Sequence, residues 1–267
     1  EHSAEFESFH TFSSRMDVRS GVAVFTSRYQ ERDALFFWDL RLHRVAGRYQ
    51  FANLVSLLSP SWAPDGKSVV FSALTLAGYS DLYRLWLADG RLEPLTHDRY
   101  EDLDPSISPD GKSVVFTSDR TAFGPAGARN LFVLDLATGG VRYLTYGNWQ
   151  DETPRWAENG RIYFSSDRDT VFDIYSVDSV GQGRRETRTF DGAFDPQWMP
   201  GPGGAWPVGT LATPASGFWE QITASISRRA GSGSIPGRPR PSSYRSATSA
   251  RSQSNSSTPS TRRKMWS

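Results

Sequence analysis

Short apolar runs recur along the chain, each bounded by turn-forming residues. Val69-Val70-Phe71, Val114-Val115-Phe116 and Ile162-Tyr163-Phe164 form one set, and Val22-Ala23-Val24-Phe25 is an earlier copy. The first three each follow an Asp-Gly or Asn-Gly pair: Asp65-Gly66, Asp110-Gly111 and Asn159-Gly160. Gly tolerates positive φ, so such a pair between β-rich runs predicts a tight antiparallel hairpin. A further apolar run follows each time, beginning at Asp81, Asn130 and Asp173, and then a turn and a fourth strand (91–96, 141–145, 185–189). Pro94 in the first of these suits an edge strand, where a missing N–H costs little.

Aligned on one aromatic position, the units read Trp62, Ile107, Trp156 and Trp198, spaced by 45, 49 and 42 residues. Two residues before each stands a proline: Pro60, Pro105, Pro154 and Pro196. Four strands at this period define the blade of a β-propeller. The strand carrying Leu82, Tyr83, Leu85, Trp86 and Leu87 is apolar on both faces, as a blade between two neighbours must be. The expected fold is therefore all-β. It comprises four blades at about 18–58, 60–101, 105–150 and 154–192, with a partial fifth from Pro196. The recurring structural positions are Trp62, Asp65, Gly66, Asp110, Gly111, Trp156, Gly160 and Trp198.

The pattern P-x-W-x-P-D-G-K-x-V-V-F-x-S-D-R resembles the TolB-type, WD40-like propeller repeat over about residues 18–200. That resemblance implies a platform for protein–protein contact in the periplasm or cell envelope of a bacterium. Related propellers are attached to prolyl-oligopeptidase-like serine peptidases, so an accessory propeller of a peptidase whose catalytic domain lies elsewhere is the alternative. The stretches YSDLY, LTHDRYEDLDP, SDRTAFG and LTYG are similar to envelope proteins in which the propeller lies between a peptidase-like domain and an outer-membrane barrel. TolB-like propellers have about six blades, so the chain reads as a fragment of a longer parent.

Charge and composition alter this picture at one end. Residues 216–267 hold nine Lys or Arg, fifteen Ser and a single acid, Glu220, against an acidic body. So few aliphatics cannot offset chain entropy, and 204–267 is expected to be a disordered basic tail. Three readings of it compete: a solvated terminus, a basic arm drawn to phosphate or acidic lipid, and a frameshift product beginning in mid-blade near residue 203. Residues 1–17 form an N-terminal segment without the basic-then-apolar pattern of a signal peptide. No apolar run is long enough for a membrane-spanning helix, and no specific nucleic-acid surface is evident.

Candidate chemistry is sparse. The chain has no cysteine, and its four histidines (His2, His10, His43, His97) make no ligand spacing, so no metal site is expected. Neither a nucleophile elbow nor a phosphate-binding glycine loop occurs, and neither catalysis nor a cofactor is expected. The Ser-Asp-Arg triplets at 118–120 and 166–168 invite an ion-pair or Ca²⁺ reading, but their recurrence favours a scaffold role. The segments joining one blade to the next (97–104, 146–153, 190–195) should gather on one face around the central channel. Tyr100 and Trp149 occupy equivalent places in them, as do Asp102 and Asp151, and the last segment offers Phe194 and Asp195. These six residues are the candidate contacts for a protein or peptide partner; the competing reading is that Trp149 and Phe194 plug gaps between blades.

Overall fold

A computed structural model describes residues 14–197, together with the backbone of Ser8–Phe9. Four antiparallel sheets follow one another along the chain. The first contains β1 (Ser8–Phe9), β2 (Asp17–Arg19), β3 (Val22–Tyr29), β4 (Arg32–Asp39) and β5 (Arg44–Tyr49). The second contains β6 (Leu54–Trp62), β7 (Ser68–Thr75), β8 (Ser80–Trp86) and β9 (Leu92–Pro94). The third is built from β10 (Asp102–Ile107), β11 (Ser113–Ser118), β12 (Asn130–Asp135) and β13 (Val141–Tyr143). The fourth comprises β14 (Asp151–Trp156), β15 (Ile162–Ser166), β16 (Asp173–Val177) and β17 (Gly183–Arg185). A single 3₁₀ turn, Gly124–Ala126, is the one helical element among the described residues.

This is the expected all-β blade architecture. The hairpin glycines hold the conformation they were assigned, with φ of +70° at Gly66, +72° at Gly111 and +80° at Gly160. The side chain before each one fastens the same turn: Asp65, Asp110 and Asn159 each accept the backbone N–H two residues on, at 2.9 to 3.1 Å. Pro94 does close an edge strand, since β9 pairs only with β8.

Alternating side chains on the second and third strands bury opposite faces, as the pleat requires. Val24, Leu35 and Phe37 of the first blade meet Val69, Phe71 and Leu85 of the second. Val70 and Leu82, on the other face of the second blade, meet Val114, Phe116 and Phe132 of the third. Val115, Leu131 and Val133 then meet Ile162, Phe164 and Tyr175 of the fourth. Each inter-blade layer is thus an apolar core in its own right. Burying an aliphatic or aromatic side chain in such a layer contributes about 1.5–3 kcal/mol.

The element boundaries depart from expectation in three places. The first strands begin earlier than the Trp-centred motif suggests, at Leu54, Asp102 and Asp151, so the expected inter-blade loops are partly strand. The first blade, which shows no Trp segment in its sequence, has β2 and β1 paired to opposite ends of β3. The fourth strand of the last blade lies at Gly183–Arg185, two residues ahead of the expected 185. Its position follows from a clasp beyond it, where Thr187 Oγ1 accepts the N–H of Ile174 at 2.9 Å. Thr96 and Thr145 clasp Leu82 and Leu131 in the same way at 2.9 and 2.8 Å. Trp198, the remainder of the partial fifth blade and the 204–267 tail lie outside the described residues.

Candidate functional site

The segments leading from one blade to the next are built around a repeated polar joint. In the third blade, Arg120 Nη2 donates to both oxygens of Asp102 at 2.7 and 2.5 Å, and its Nε donates to Ser118 Oγ at 3.1 Å. In the fourth blade, Arg168 Nη2 donates to Asp151 at 2.8 Å and its Nε to Ser166 Oγ at 2.9 Å. The central acid of each Ser-Asp-Arg triplet holds the incoming segment: Asp119 accepts the N–H of Glu101 at 2.8 Å, and Asp167 that of Gln150 at 2.7 Å. The triplet therefore ties the end of the second strand to the start of the first. Asp102 and Asp151 are fully buried in these joints. Burial pushes the Asp102 carboxyl up to about 6, against the opposing pull of Arg120.

The two loop aromatics lie over these ion pairs. Arg120 sits 5.2 Å from the Tyr100 ring and Arg168 5.0 Å from the Trp149 ring. Trp149 Nε1 also donates to Asp151 at 3.0 Å. Its indole lies so close to Gly147 that a Cβ there would stand 2.1 Å from the ring. Both rings remain partly exposed. Phe194 is 40% exposed and packs on Phe172 at 4.9 Å between centroids. Of the six candidate contacts, then, Tyr100, Trp149 and Phe194 present surface, whereas Asp102 and Asp151 are spent inside the joints.

Asp195 belongs to a different set. Counting from the aligned aromatic position, it matches Ser59, Asp104 and Thr153, each directly before a proline. All four have positive φ, between 50° and 54°. This conformation is uncommon without Gly. In β6, β10 and β14 it coincides with a bulge, which bends the first strand and re-aims these side chains.

The first blade places Arg15 at the same register, and its guanidinium crosses the middle of the stack. Arg15 Nη1 donates to the carbonyl of Pro154 at 3.1 Å, while Arg155 Nη2 returns a bond to that of Met16 at 3.0 Å. Asp104 lies 3.6 Å and Asp195 4.0 Å from Arg15. Burial, with Arg155 close by, lowers the pKa of Arg15. No strand of the fourth blade packs against a strand of the first among the described residues; Arg15 and Arg155 make hydrogen bonds that span the two blades.

Neither this crossing nor the threonine clasps was read from the sequence. Leu-Thr at 95–96 and 144–145 was the available signal for the clasps. A separate apolar pocket of about 570 Å³ lies beside the first two blades, lined by Phe51, Leu54, Leu76, Tyr83 and Leu92 among others. It gathers no acid–base pair.

No protein-family model matches the chain. It is 38% identical over 76 residues to Tol-Pal system protein TolB 1 of Novosphingobium aromaticivorans, covering 27% of this chain and 17% of that protein. Over 77 residues it is 34% identical to Tol-Pal system protein TolB of Rhizorhabdus wittichii, covering 28% and 17% respectively. Among solved structures, a putative TolB from Agrobacterium tumefaciens superposes with a TM-score of 0.53 at 18% identity, covering 67% of this chain and 68% of the other. A puromycin hydrolase S511A variant superposes at 0.51 with 17% identity, covering 68% and 31%. The structural likenesses establish the fold alone. Taken with the sequence matches, they amount to a distant, partial similarity to TolB proteins, consistent with the TolB-type propeller superfamily.

Proposed function

We propose that this chain is a noncatalytic propeller platform whose inter-blade face, carrying Tyr100, Trp149 and Phe194, takes a protein or peptide partner in a bacterial cell envelope. The observation that carries this reading is the repeated joint. Two aromatic rings, each partly exposed, are held over buried Asp–Arg pairs, so they present rigid apolar surface beside charge. Rigid aromatics lose little conformational entropy on binding and dominate contact energies at interfaces. The matched relatives carry the name of the Tol-Pal system, and the envelope setting rests on that similarity. The runner-up, an accessory propeller of a peptidase, draws only on the shared fold with puromycin hydrolase.

Panning a displayed peptide library against the immobilised chain tests the reading. Enriched peptides should lose about tenfold or more in affinity for the Tyr100→Ala/Trp149→Ala double variant, the loss of about 1.4 kcal/mol or more typical of interface anchors. Circular dichroism confirms that the variant is folded. Undiminished binding to that folded variant would overturn the assignment.

A further inference from the structure

We propose that Asp81, Asp98 and Asp102 form a binding site for one hard divalent cation of the calcium type, at the joint between the second and third blades. One oxygen from each carboxylate lies within 4.8 Å of the others. Calcium holds oxygens at 2.3–2.6 Å, so two ligands on opposite sides of the ion stand about 4.8 Å apart. Asp81 and Asp102 are buried, 1% and 0% exposed, while Asp98 reaches solvent and opens a route for the ion.

A second observation points to a ligand. Asp81 Oδ2 is buried with no hydrogen-bond donor; the imidazole Nδ1 of His97, an exposed side chain, lies 3.9 Å away. Only Oδ1 of that carboxylate is engaged, by Thr96 Oγ1 at 3.4 Å and the N–H of Asp98 at 3.2 Å. A bare buried carboxylate oxygen is costly unless something positive meets it. Desolvation accordingly raises the pKa of Asp81 as well as Asp102.

The repeat supplies its own controls. At the next joint the position of Asp81 is held by Asn130, that of Asp98 by Gly147, and that of Asp102 by Asp151. There Asn130 accepts the N–H of Gly147 at 3.1 Å and donates to the carbonyl of Arg129 at 3.0 Å, so its amide is satisfied. One blade further on, Asp173 accepts from Thr187 and Thr189 on one oxygen and from Arg185 on the other. Charge tells the same story. Asp151 is balanced by Arg168, whereas three carboxylates between the second and third blades face the single guanidinium of Arg120, which contacts Asp102 and, at 3.2 Å, Asp98. The surplus is two negative charges, the complement of one divalent ion. The site shares its joint with Tyr100, whose N–H donates to Asp98 at 2.9 Å, but carboxylates alone hold the ion, so metal binding is tested without reference to the partner-binding reading.

The test uses the full chain freed of metal by chelator. Calcium chloride titrated calorimetrically should bind with one-to-one stoichiometry. Terbium should show luminescence sensitised through Tyr83 or Tyr100, displaced by calcium. Asp81→Asn, a residue the next blade already accepts at this position, and Asp98→Asn, on the solvent side, should each weaken calcium binding by about tenfold or more, because affinity follows the number of charged ligands. Glu158→Gln, in an exposed turn of the fourth blade, should leave it unchanged. Absence of binding at millimolar calcium, or binding untouched in both folded Asp variants, would overturn the proposal.

Discussion

Removing Arg120 leaves Asp102 without the cation that faces it. Breaking a buried ion pair by deleting one partner ordinarily costs about 3–5 kcal/mol. Here protonation sets a lower ceiling. With Arg120 present the Asp102 carboxyl titrates at about 6, against its ordinary 3.8. In Arg120→Ala the stranded carboxyl escapes by taking a proton. The electrostatic loss at pH 7.5 is then bounded by the one and a half units separating that pH from about 6. At about 1.4 kcal/mol per unit, this is about 2 kcal/mol.

At pH 5 Asp102 is already largely protonated in the folded wild type, so the electrostatic loss should fall close to zero. The sign follows from linkage. A raised folded pKa means the folded form binds a proton that the unfolded chain does not, so this group's contribution to stability declines as pH climbs from about 4 to about 6. Any loss that persists at pH 5 measures the other contacts of Arg120: its bond to Ser118 Oγ, its pairing with Asp98, and its packing on Phe116, Phe132 and Tyr100, whose ring centroids lie 5.2 to 5.6 Å away. Urea denaturation followed by tryptophan fluorescence, in chelator at both pH values, gives the two numbers. Equal destabilisation at pH 7.5 and pH 5 would refute the charge argument. Arg168→Ala should cost less at pH 7.5, because Asp151 keeps its bond from Trp149.

Two further outcomes are expected. Gly147→Ala would drive its Cβ into the Trp149 indole and expel the ring, costing about 1–3 kcal/mol; indole burial read from the emission maximum should shift to the red, and an unshifted spectrum would contradict the packing described. Phe116→Ala empties a fully buried site between the second and third blades, for a loss of about 3–5 kcal/mol in chemical denaturation; a loss below about 1 kcal/mol would mean that this layer is not a close-packed core.

The legible part of the site was the part written as a repeat. Tyr100 and Trp149 were found by alignment, and both do lie over a joint. The same alignment put Asp102 and Asp151 with them as contacts. A carboxylate in a polar stretch reads identically whether it faces water or a guanidinium eighteen residues away in sequence. The grouping of Asp81, Asp98 and Asp102 is equally hidden in the sequence. Asp81 lies near the start of β8, while Asp98 and Asp102 lie seventeen and twenty-one residues later, a separation that matches no local ligand spacing.

Local chemistry alone determined the blades. Asp-Gly turns, apolar runs of strand length and a period of 42 to 49 residues are properties of contiguous chain, each enforced by backbone sterics or by the pleat. What tertiary structure decided was how polar groups distant in sequence pair at the seams. Arg15 meets the carbonyl of Pro154 across 139 residues, Arg120 is committed to Asp102, and Asp81 is left with one oxygen bare. The physical reason is that apolar burial depends mainly on side-chain type and alternation, which the sequence displays. A hydrogen bond or ion pair instead depends on direction and distance to a single partner, and these exist only once the blades have stacked.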